Sequence, residues 1–108
     1  MISISNFIPD AQMLLQMSPE ELAGPLMECL NSMDPAEEHS QLHRYSCVDV
    51  HAQAYPHPER DRIAKALMEA WIWLEREGFI APRPEMGIHA EEWMFITRRG
   101  KGRNRETR

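Results

Sequence analysis

The sequence predicts an α+β fold in which one long helix runs through a glycine stop into a two-stranded antiparallel hairpin. Three observations predict it. Ile63, Leu67, Ala70, Trp71 and Leu74 recur at three-to-four spacing, the mark of a helix with one buried face. Gly78 follows where a helix C-terminus favours a residue tolerant of positive φ. Phe79 and Ile80 then begin a strand that Pro82 and Pro84 cut short, and Trp93 to Thr97 supplies a second run of bulky strand formers, with Gly87 loosening the turn between them.

Helix, tight turn and hairpin in that order form the back half of a winged helix-turn-helix. Two N-terminal helices precede the long helix in this reading, and the hairpin is the small antiparallel sheet, or wing. Leu74-x-x-x-Gly78-Phe79-Ile80, followed by Phe95-Ile96-Thr97-x-x-Gly100, resembles the helix-to-wing signature of winged-helix transcription regulators. More narrowly, AWIWLEREGFIAPRP and FITRRG, preceded by FIPDAQMLLQMSPEELAGPL, resemble the N-terminal region of bacterial abortive-infection-like proteins of the Ymh type. The likeness runs from about Phe7 to Gly100. It implies a bacterial regulatory or phage-defence setting. In that family the chain continues into a second domain, so this chain reads as either a truncated relative or an excised domain. The resemblance does not name a ligand, because winged helices bind DNA, RNA and other proteins.

Ahead of the long helix, Asp10 is placed to cap a short helical turn holding Met13, Leu14, Leu15 and Met17, an apolar strap over the core. Ser18-Pro19-Glu20-Glu21 is the clearest helix start in the chain: a capping serine, proline at the first helical position and glutamate three residues after the cap. Leu22, Leu26, Cys29, Leu30 and Met33 form the buried face, and Pro25 is expected to bend or restart this helix. Asp34-Pro35-Ala36-Glu37 repeats the start signal for a short helix that runs through Leu42 or as far as Tyr45. Val48 and Val50 alternate with Asp49 and His51, so Ser46 to Ala54 reads as a half-exposed strand that adds to the hairpin sheet. Tyr55-Pro56-His57-Pro58 is a rigid turn into the long helix.

With 108 residues the chain reads as one domain over 1–100, with a basic, disordered tail at 101–108. The net charge of −5 hides an asymmetry: residues 98–108 carry six basic side chains against one acidic, leaving −10 on residues 1–97. No apolar run is long enough to span a bilayer, and MISISNFIPD lacks the basic and continuous apolar regions of a signal peptide. Two cysteines, Cys29 and Cys47, make no disulfide framework and read as free thiols of a cytoplasmic protein.

No nucleophile–base spacing and no glycine-rich phosphate loop occurs, so the chain reads as non-enzymatic and without a cofactor. His39, His43 and Cys47 are spaced for one helix face, but a polar surface helix carries histidines for no metal-related reason, and no metal is assigned. Two function classes remain. A DNA-binding module would use Arg62, Lys65 and Arg76 on the outer face of the long helix, with Arg98, Arg99, Lys101 and Arg103 after the last strand. The acidic body and a wing containing Glu85, Glu91 and Glu92, in which only Arg83 suits phosphate, oppose it. A protein-interaction or dimerisation module would instead use Trp73, which cannot share the direction of Trp71, together with Met13, Leu14 and Met17.

Overall fold

The computed structural model describes residues 1–89 and 92–106. The chain runs as α1 (Ala11–Gln16), α2 (Pro19–Asn31), α3 (Pro35–Gln41), α4 (Arg44–Ala52), α5 (Arg60–Arg76), β1 (Ile80–Pro82), β2 (Met94–Ile96) and α6 (Arg98–Glu106), with short 3-10 turns at Ile4–Asn6, His57–Glu59 and Pro84–His89. This is an α+β arrangement in which helices pack around α5 and one small antiparallel sheet lies against α3, α5 and α6.

The central helix α5 forms because its apolar side chains fall on one stripe. Ile63, Leu67, Ala70, Trp71 and Leu74, the five residues the periodicity selects, are its buried positions. The stripe packs chiefly on α2 and α4, and on α1 at the edge of the core. Gly78 ends the helix at φ 78°. The Gly78 N–H donates to the Glu75 carbonyl at 3.1 Å and the Phe79 N–H to the Leu74 carbonyl at 3.0 Å, closing the last turn before β1. β1 and β2 pair in the register Ile80↔Ile96, Ala81↔Phe95 and Pro82↔Met94. Met94 and Ile96 face the core, while Phe95 faces out.

The helix starts obey their caps. Ser18 and Asp34 each complete a capping box, with Glu21 and Glu37 returning the second hydrogen bond. Pro25 neither ends nor restarts α2, which is continuous through Asn31. The lost donor at Pro25 is tolerated because the flanking turns are locked by Leu22, Ala23, Leu26 and Met27, all buried.

Four helices precede the long one, where the sequence reading has two. The largest departure lies at Ser46–Ala54, which is helix and not strand. Val48 and Val50 alternate like strand residues, but the buried set is Cys47, Val48, His51 and Ala52, a helical spacing, so core burial outweighs β-branched propensity. The sheet gains its third edge elsewhere, from a single bridge between His43 and Trp93, with the Met94 N–H donating to the Leu42 carbonyl at 2.9 Å.

The N-terminal segment is tied to α4 and to the turn beyond it. The Ile4 N–H donates to Nδ1 of the buried His51 at 3.1 Å, and the Tyr55 hydroxyl donates to the Ile8 carbonyl at 2.7 Å. Burial, with the positive charge of the N-terminal amine as a smaller cause, lowers His51 to about 4, so the ring is held neutral.

At the other end, α6 continues from Arg98 across the expected boundary at residue 101 to Glu106. The Gly100 N–H donates to the Thr97 hydroxyl oxygen at 3.0 Å, an N-cap contact, and Asn31 donates to the Gly100 carbonyl at 3.0 Å. A Cβ at Gly100 would stand 2.1 Å from the Phe79 carbonyl oxygen, so only glycine lets α6 close against the hairpin.

Candidate functional site

The basic side chains singled out by the sequence do not form one patch. Arg62 and Lys65 stand near the start of α5 and Arg76 at its end, about 21 Å along the axis from Arg62 at 1.5 Å per residue. Arg62 pairs with Glu59 at 3.1 Å and Lys65 with Asp61 at 3.1 Å. Beyond the strands, Arg99 reaches Glu77 at 3.8 Å and lies over the Phe79 ring, 4.5 Å from its centroid. Lys101 pairs with Glu38 at 3.3 Å. Among the described residues, Arg76 and Arg98 make no ion pair. The Arg103 side chain and Glu91 lie outside the described part of the chain.

Arg83, the one residue of the β1–β2 connection that the sequence suits to phosphate, is committed internally. It is buried, donates from Nε to Glu85 at 2.9 Å and from Nη1 to the His39 carbonyl at 3.0 Å, and so ties that connection to α3. The nearby salt bridges Lys101–Glu38 and Arg83–Glu85 leave the cleft between α3, the hairpin and α6 with its charges balanced.

The histidine–cysteine trio does not converge. α3 ends at Gln41, so His39 and His43 belong to different elements. His43 caps α4, its Nδ1 accepting the Ser46 N–H at 3.4 Å. His43 and Cys47 line one hollow under Trp93, and His39 lines the cleft beside Arg83. Among the described residues no group of three His, Cys, Asp or Glu side chains is placed to hold a metal ion. Burial pushes the Cys47 thiol up to about 11 and, more strongly, Cys29 up to about 12, which keeps both as inert thiols.

The residues assigned to a partner surface divide. Leu14 is fully buried and belongs to the core. Met13 is exposed, and Met17 is half-buried against the core. Trp73 packs against Phe79, the rings near parallel at 27° with centroids 6.0 Å apart, and it lines a shallow hollow with Pro19, Glu69, Ile72 and Arg76. Trp73, Phe79 and Arg99 therefore form a continuous stack at the junction of α5, β1 and α6.

A surface the sequence reading does not single out is the groove between α4 and α5. It encloses about 410 Å³ and is walled by Tyr45, Val48 and Asp49 from α4 and by Ala64, Lys65 and Met68 from α5. Its lining is almost wholly apolar, and Tyr45 stands 57% exposed at its rim. The signal for it is present in the sequence: Tyr45, Val48 and Asp49 share one face only if the segment is a helix. Reading Ser46 to Ala54 as a strand sends Val48 and Asp49 to opposite faces and hides the groove.

Among the described residues no helix is long and apolar enough to cross a membrane. No protein-family model, curated protein or solved structure matches this chain.

Proposed function

We propose that this chain is a non-catalytic winged-helix module that docks a protein partner through the groove between α4 and α5. The order of elements supports the scaffold: α4 and α5 stand as a helix-turn-helix pair, the β1–β2 hairpin follows as the wing, and Leu42–His43 adds the third edge of the sheet. The observation that carries the docking role is the open apolar groove, rimmed by an exposed tyrosine, on the helix that a DNA-binding winged helix would present to the duplex. The outer face of that helix is charge-balanced, with Glu59, Asp61 and Glu69 against Arg62, Lys65 and Arg76, which gives little attraction for phosphate. The Ymh-type resemblance extends the proposal to a cytoplasmic, bacterial regulatory or phage-defence setting.

DNA binding is the second reading, favoured by two observations: Arg76 and Arg98 are without ion pairs among the described residues, and α6 is strongly basic. A mobility-shift titration against random double-stranded DNA separates the two. Protein docking predicts no complex at either about 50 or about 200 mM salt. A complex that weakens steeply across that range, and that Arg76→Glu combined with Arg98→Glu abolishes, would overturn it in favour of nucleic acid.

A further inference from the structure

We infer that the occupant of the α4–α5 groove is a second copy of this chain, in a two-fold contact. The inference rests on the protein-docking reading and names its partner. A two-fold interface must be self-complementary, because each surface patch meets itself in reverse. The groove has the needed parts. Tyr45 is a projecting apolar knob at its rim, and Val48, Ala64 and Met68 form the hollow that would take the partner's knob.

The charges supply the stronger argument. Asp49 on the α4 wall and Lys65 on the α5 wall flank the apolar lining, both residues exposed at the rim. A two-fold operation that sets α4 of one copy against α5 of the other brings each Asp49 to the other copy's Lys65, twice per dimer. The present partners of these groups do not hold them firmly. Lys65 meets Asp61 at 3.1 Å with both side chains about four-fifths exposed, and among the described residues the Asp49 carboxylate accepts from Gln53 alone, at 3.0 Å. Exposed pairs of this kind are weak, so both groups are free to turn to a better-desolvated partner. The groove is small against the area a stable dimer buries, so a weak dimer is expected.

Sedimentation equilibrium of the full chain up to about 500 μM tests this. The wild type is expected to dimerise. Asp49→Lys sets lysine against Lys65, and Lys65→Asp sets aspartate against Asp49, so each variant alone should be at least tenfold weaker. An equimolar mixture of the two should recover the dimer, because each copy then carries one sign of charge. Tyr45→Ala, checked for unchanged helical circular dichroism, should also dissociate it. A wild type that stays monomeric throughout, or a dimer that survives both single reversals, overturns the inference. A dimer broken by Trp73→Ala but indifferent to the reversals overturns it as well, while leaving protein docking itself standing.

Discussion

The groove between α4 and α5 and the junction where α6 meets the hairpin are built in opposite ways. At the junction the groups that join the elements are partnered within the chain: Thr97 caps α6, Gly100 sits against the Phe79 carbonyl, Asn31 holds the Gly100 carbonyl, and Arg99 lies over Phe79. In the groove, apolar side chains stand open and the charged ones have only weak, exposed partners. Saturated contacts hold a fold together, whereas unsaturated ones are available to something else. Of the basic residues that invite a nucleic-acid reading from sequence, Arg99 and Lys101 belong to the saturated class, whereas Lys65 lines the groove and Arg76 and Arg98 make no ion pair among the described residues. A change at the junction should therefore cost stability, and a change at the groove should cost association.

Gly100→Ala is the largest test of that division. The new methyl group would overlap a backbone carbonyl that cannot move without opening the hairpin, so unfolding free energy should fall by about 3 kcal/mol, read as a lower urea midpoint. An unchanged midpoint would mean that α6 does not close on β1 as described.

Protonation of His51 comes next. Its ring is neutral in the fold, at about 4, against 6.5 for the free side chain. The unfolded chain thus binds the proton first, and stability is lost as pH falls from 6.5 towards 4, by roughly 2–3 kcal/mol over the window. Glu21 and Glu37 accept their own N-cap backbone hydrogen bonds and titrate below the usual 4.5, so their contributions disappear only at lower pH. His51→Asn keeps an acceptor near the Ile4 N–H, and its stability should be flat between pH 6.5 and 4.5. A slope as steep as the wild type's would assign the pH dependence to another group.

Gly78→Ala should cost about 1–2 kcal/mol, because the residue must hold positive φ at the end of α5. Thermal unfolding would register the loss. The smallest effect on stability is expected at the groove. Tyr45→Ala should change the monomer's unfolding free energy by less than about 0.5 kcal/mol while weakening self-association at least tenfold. A large destabilisation there would mean that Tyr45 supports the fold, and the contrast between the two regions would fail.

What could be read from sequence follows the same physics. The α5 stripe, the capping boxes at Ser18 and Asp34 and the stop at Gly78 are local features, and the structure holds each where periodicity or cap chemistry puts it. The 35–54 region misleads because local signals compete. Val48 and Val50 favour strand, and only burial against α5 selects the helical face of Cys47, Val48, His51 and Ala52. Leu42 breaks the expected helix at φ −80°, ψ 73°, with no glycine or proline to announce it. That break separates His39 from His43 and creates the bridge to Trp93. Gly100 is visible as part of a motif, but its reason is a contact with residue 79, which no local pattern reveals. The candidate site was least legible of all, since a groove between two helices exists only once both are known to be helices.

The most direct test replaces Tyr45 with a photoreactive phenylalanine analogue and maps its crosslinks, with random double-stranded DNA present in the same solution. Docking of a second copy predicts a covalent protein dimer with the adduct on α5, between Ala64 and Met68. Adducts to DNA, or none to protein at concentrations where the chain self-associates, would contradict the account.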